Sequence, residues 1–167
     1  MLSEAEDPGW REGACYQSRF QNNAVLDFSP SGIRLELEQS GGDGVGYDFD
    51  QATVWPAGVV LARALQHPAV FAPGALRGKN VLELGSGCGV AGLMAAAMGA
   101  AHVALTDLPA VLPVLKRNAE RSAAAVAAVA ADRSAMELDV WALEWDDADE
   151  EAASARAGAP DIILGAD

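Results

Sequence analysis

Val81-Leu82-Glu83-Leu84-Gly85-Ser86-Gly87-Cys88-Gly89 is the stretch on which the fold turns. An apolar run ending in closely spaced glycines reads as a buried strand that breaks into a tight loop and then a helix. Here the helix is the Ala-rich segment Val90 to Met98, closed by Gly99. Glycines let backbone amides approach a ligand, which then sits at the carboxyl end of the strand. A second apolar run, His102 to Thr106, leads to Asp107, 22 residues beyond Gly85. At about that spacing an acidic side chain reaches a ribose diol. The two features together predict a nucleoside-cofactor site on an α/β sheet.

The spelling of the loop selects the cofactor. A dinucleotide fingerprint needs G-x-G-x-x-G, whereas position 90 is Val90 and the third glycine comes one step early at Gly89. No G-K-S/T follows to make a triphosphate loop. The G-x-G-x-G form therefore points to S-adenosylmethionine, with Gly85, Ser86 and Gly87 passing close to the cofactor and Asp107 holding its ribose. The plainer reading, that these glycines serve only a strand-to-helix turn, leaves the spacing of Asp107 unexplained.

From about Tyr47 to Asp167 the chain resembles the seven-β-strand, non-SET protein-lysine methyltransferases. The blocks that carry the resemblance are Val54-Trp55-Pro56-Ala57, Val81 to Gly89, Leu105-Thr106-Asp107-Leu108-Pro109, Leu143-Glu144-Trp145, and Asp161-Ile162-Ile163-Leu164-Gly165-Ala166-Asp167. The resemblance implies a Rossmann-like class I methyltransferase sheet with helices on both faces and S-adenosyl-L-methionine as cofactor. It places Trp55 near the cofactor, Gly85 to Gly87 around it, Asp107 on the ribose, Trp145 beside adenine and Ala166 at a strand end. It also implies an Asp-x-x-Tyr motif beginning at Asp167, with Asp167 as the catalytic carboxylate. The family's strands five to seven would follow that point, so the domain is expected to be truncated after its fourth strand.

Composition sets wider bounds. The 167 residues are 51% hydrophobic, enough to build one core, and no run is long enough for a helix to cross a membrane. A formal net charge of −13 gives an average field that repels polyanions, which argues against nucleic acid as substrate. Cys15 and Cys88 make no disulfide framework and no metal-spaced cluster with His67 or His102, so no metal is expected and a reducing compartment fits. The N-terminus, with Ser3, Glu4, Glu6 and Asp7, lacks the order of a signal peptide. A cytoplasmic location is expected, with the nucleus open; nothing fixes an oligomeric state.

Along the chain, residues 1–21 read as an irregular leader and 22–167 as the cofactor-binding domain. Ala24 to Phe28 and Ile33 to Glu38 form an N-terminal β-hairpin around Pro30-Ser31-Gly32, since Ile33, Leu35 and Leu37 alternate with Arg34, Glu36 and Glu38. Gly41-Gly42-Asp43-Gly44 is a connection. A helix begins at Pro56 and ends before Pro68, a second spans Val90 to Met98, and a third runs from Pro109 to about Ser122. Ala123 to Ala131 extends that third helix by propensity. Strands are expected at Asn80 to Leu84, His102 to Thr106, Glu137 to Leu143 and Asp161 to Gly165, with an acidic helix from Asp146 to Ala157. Alternating strands and helices predict a parallel sheet with right-handed crossovers.

Several residues admit two readings. Asp107 could cap the helix after Pro109 as well as hold ribose. Trp55 could be ordinary packing. Glu83, charged inside an apolar strand, either accepts from a nearby backbone amide or indirectly holds the cofactor's ammonium group. Trp141 is expected to face a helix, His67 and His102 to be structural, and Cys88 to be a small filler. The chemistry implied is in-line transfer of a methyl from sulfonium to a neutral amine. A protein lysine is the leading acceptor. A small-molecule amine, or a non-catalytic module that binds cofactor or a partner, are the alternatives.

Overall fold

The computed structural model describes residues 23–29, 31–39, 52–129, 136–145, 156 and 159–166. The proposed leader 1–21, the connection Gly41–Gly44, most of the expected acidic helix Asp146 to Ala157, and Asp167 lie outside them.

Two strands open the described chain, β1 (Asn23–Phe28) and β2 (Ile33–Glu38), paired antiparallel with Phe28 opposite Ile33 and Asn23 opposite Glu38. The alternation decides which side is inward: Ile33, Leu35 and Leu37 are buried while Arg34 and Glu36 face water. Gly32, at φ 74°, completes the turn.

The main sheet contains β3 (Asn80–Leu84), β4 (His102–Asp107), β5 (Glu137–Ala142) and β6 (Ile162–Gly165) in the order β5-β4-β3-β6. All neighbours are parallel, with Val81 beside Val103 and Ile162, and Leu105 beside Val140. Helices α1 (Pro56–Gln66), α2 (Val90–Ala97) and α3 (Leu112–Val129) complete the described elements. Pro56 opens α1, where its missing N–H is harmless.

One face of the sheet presents Val81, Val103, Leu105 and Leu164 to a core shared with α1, α2, α3 and the hairpin. Every side chain of α2 is buried, because this Ala-rich helix is held between the sheet and α1. The opposite face carries Leu82, Ala104, Trp141 and Leu143. Chain direction explains the difference. The steps β3-α2-β4-α3-β5 move one way across the sheet, and β6 then returns to the other side of β3. A right-handed crossover from β5 to β6 must therefore run over the second face. Arg156, in helical conformation, lies there with its guanidinium 5.2 Å from the centre of the Trp141 ring.

One helix starts later than its proline suggests. Leu108 to Val111 form a turn closed by the Val111 amide on the Leu108 carbonyl, and α3 begins at Leu112, with Pro113 rather than Pro109 in its first turn. The alanine stretch does prolong it, through Val129. No helix among the described residues is long and apolar enough to cross a membrane.

Candidate cofactor site

Strand order reverses between β3 and β6, and in an open parallel sheet ligands bind outside the carboxyl ends at such a point. The loop after β3 occupies that place. Gly85, Gly87 and Gly89 have φ of 63°, 54° and 84°, left-handed conformations that glycine alone enters without strain.

Hydrogen bonds tie the loop to β4. The Ser86 amide donates to the Thr106 carbonyl at 2.8 Å, the Thr106 amide returns a bond to Ser86 Oγ at 3.0 Å, and the Gly89 amide closes on the Ser86 carbonyl at 2.7 Å. Ser86 is thus engaged by the loop itself. Thr106, fully buried, donates its hydroxyl to the Glu83 carbonyl at 2.6 Å.

Asp107 faces the same loop. Its Oδ2 accepts from the Gly87 amide at 2.6 Å and its Oδ1 from the Leu108 amide at 2.7 Å. A carboxylate offers about four lone-pair sites, so two remain for further donors. The side chain is half-buried, held rigidly and still reachable.

Glu83 points beneath the loop to the start of α2, where its Oε2 accepts from the Gly92 amide at 3.1 Å. Burial pushes its pKa up to about 7, against the opposing pull of the Ser86 side chain and the Gly92 amide, with the Asp107 charge adding to the rise. The backbone-amide reading of Glu83 is thus realised.

The expected neighbours converge on the same edge. A β-carbon built on Gly85 would lie 3.4 Å from Cζ2 of Trp145, so the indole, 77% exposed, lies across the loop. Leu84 pairs with Gly165, which puts Ala166 level with Gly85. Trp55 caps the amino end of α1, and the segment leading to it brings the Thr53 carbonyl to 3.6 Å from a β-carbon built on Gly87. Glu83, Gly85, Ser86, Gly87, Asp107, Trp145 and Ala166 therefore gather around the carboxyl ends of β3, β4 and β6, and Trp55 follows the segment that reaches the loop.

Known proteins match this chain in sequence. The family model described as "Lysine methyltransferase" matches residues 30–167. The chain belongs to the lysine methyltransferase family. It is 45% identical over 69 residues to protein N-lysine methyltransferase METTL21A of Mus musculus, covering 41% of this chain and 29% of that protein. Against EEF1A lysine methyltransferase 3 of Xenopus tropicalis the identity is 29% over 126 residues, 71% of this chain and 52% of the relative. Against the electron transfer flavoprotein beta subunit lysine methyltransferase of Mus musculus it is 43% over 58 residues, 34% of this chain and 21% of the relative. The matches thus span about a fifth to a half of these relatives' lengths.

In this member of the family three residues have structural roles that the sequence reading did not assign. Thr106 locks the loop, as above. Gly92 has no room for a side chain: a β-carbon there would collide with Leu105 and come 2.5 Å from Oε2 of Glu83. Asn118, fully buried on α3, bonds both the hairpin and the loop. A glycine inside a helix and an asparagine on an apolar face were signals available in the sequence, but their partners lie at a distance along the chain. Cys88 is more than the filler expected, since its buried thiol donates to the Glu38 carbonyl at 3.5 Å, and burial pushes that thiol up to about 12. No group of His, Cys, Asp and Glu among the described residues could hold a metal ion.

Proposed function

We propose that this chain carries the cofactor half of an S-adenosylmethionine-dependent protein-lysine methyltransferase. The observation that bears most weight is the Asp107 carboxylate, fixed by the Gly87 amide at the switch point with acceptor sites to spare. That is what a ribose diol needs. The glycines leave an approach free of side chains, and Trp145, exposed across Gly85, offers an aromatic face suited to a purine. The residues fit S-adenosylmethionine, which when bound supplies an electrophilic methyl on sulfonium.

The chain's residues would bind and orient. Asp107 would take the ribose, the Gly85–Gly87 backbone and Ala166 would pass the amino-acid end, Trp145 would border adenine, and Trp55 would cover the approach from α1. Ser86 and Glu83 act behind the loop, shaping it and anchoring α2. The acceptor amine must arrive neutral, because an ammonium has no lone pair, and Asp167 is the proton acceptor in this reading. The relatives' names all give lysine as the target, and two of them name the protein that bears it, which supports a protein lysine over a small amine.

The test combines binding and transfer. Calorimetric titration with S-adenosylhomocysteine should saturate, and labelled S-adenosylmethionine incubated with a cell lysate and a form extended through the family's C-terminal strands should mark a protein band. A label confined to low-mass product would replace protein lysine with a small amine. Absence of saturable binding would overturn the cofactor assignment.

A further inference from the structure

We infer that Asn118 is a positioning residue, which makes the N-terminal hairpin part of the cofactor site's framework; the inference rests on the cofactor reading above. Asn118 lies on α3 with no solvent exposure, and its amide is satisfied by backbone from two other places. Oδ1 accepts from the Glu38 amide at 2.7 Å. Nδ2 donates to the Glu38 carbonyl at 2.9 Å and to the Cys88 carbonyl at 3.3 Å. The side chain thus pairs with the end of β2 and holds the glycine loop with the same nitrogen.

Beyond Asn118 the connection continues in both directions. The neighbouring Gln39 accepts from the Val54 amide through Oε1 at 2.8 Å, and Val54 immediately precedes Trp55. At the loop end, Cys88 lies between Gly87, whose amide is on Asp107, and Gly89, which caps α2. One run of hydrogen bonds therefore joins the Trp55 segment, the hairpin, α3 and the loop. Arg117 and Arg121 only fasten the Glu38 carboxylate, at 2.6 Å and 3.6 Å, on the exposed side of the same strand.

Removing the Asn118 amide takes a partner from the half-buried Glu38 amide, from the Glu38 carbonyl, which keeps the Cys88 thiol at 3.5 Å, and from the buried Cys88 carbonyl. The loop then keeps its bonds to β4 and loses its tie to α3. A residue that served only to fill the core would lower stability and leave ligand affinity intact at temperatures where the protein stays folded. A positioning residue would lower affinity there.

The experiment compares the wild-type chain with Asn118→Ala and Arg117→Ala, well below their unfolding temperatures. Calorimetry with S-adenosylhomocysteine is paired with amide hydrogen exchange in the absence of ligand. Asn118→Ala should weaken binding at least tenfold and speed exchange at Gly87 to Gly89 and at Val54, while β3 stays protected. Arg117→Ala should bind within twofold of wild type. If Asn118→Ala does not fold, Asn118→Ser is read by the same criteria. Unchanged affinity and unchanged loop exchange in a folded Asn118 variant would overturn the inference while the cofactor reading stands. Absence of binding by the wild-type chain would overturn the cofactor reading and, with it, the inference.

Discussion

The Gly87 amide lies 2.6 Å from Oδ2 of Asp107, so the acidic residue at the end of β4 holds the loop that follows β3. Asp107→Ala removes this bond and the acceptors proposed for ribose. Charge-assisted hydrogen bonds of this kind are worth about 1.5 to 3 kcal/mol, so S-adenosylhomocysteine should bind about ten- to a hundredfold more weakly. Calorimetric titration checks this, and equal affinity would remove Asp107 from the site.

Gly87→Val should abolish cofactor binding. At φ 54° a branched side chain is strained, and its β-carbon would lie beside the Thr53 carbonyl, where the cofactor's approach is proposed. Titration of the wild type with NAD should show no saturable signal. Binding of NAD in preference to S-adenosylhomocysteine would reverse the reading of the Gly89 spacing.

Gly92→Ala sets helix propensity against packing. In an open helix the change stabilises by about 1 kcal/mol. Here the added methyl meets Leu105 and the Glu83 carboxylate, and overpacking of that kind costs about 1 to 3 kcal/mol. Urea unfolding should show net destabilisation. A more stable variant would mean that the core around Glu83 yields easily.

Glu83 should give the fold a pH dependence. Its folded pKa of about 7 lies above the ordinary 4.5, so the native state keeps a proton that the unfolded chain releases between those values. The contribution is fully present below about pH 4.5 and is lost as pH rises to about 7, by about 3 kcal/mol in all. Thermal unfolding of the wild type should weaken from pH 5 to pH 8, and Glu83→Gln should flatten that decline. The same slope in both proteins would remove Glu83 as its source. Asp161, held below its usual range by the Asn80 amide and then Lys79, acts in the opposite sense and at lower pH, so the two effects separate.

Much of the sheet was legible because its signals are local. Asn80–Leu84 is a short apolar run punctuated by glycine, and its predicted bounds are those observed. The hairpin followed from two-residue alternation around Ser31-Gly32. The start of α3 was misplaced because Pro109 is equally at home in the turn that precedes a helix, and only the Val111 to Leu108 bond distinguishes the two. Glu83 was visible as a buried charge, while its partner, the Gly92 amide, depends on how α2 leaves the loop.

By itself the sequence determined the strand-loop-helix unit and the acidic residue that follows it at a set spacing, because each is a short-range pattern of backbone freedom and polarity. Tertiary structure alone decided that β6 returns beside β3 and creates the switch point, that Trp145 lies over Gly85, and that Asn118 joins the hairpin to the loop. Glu38 and Asn118 are 80 residues apart. Such contacts carry no periodicity or spacing of their own, since they form only when separately folded elements bury polar backbone groups that must then find partners.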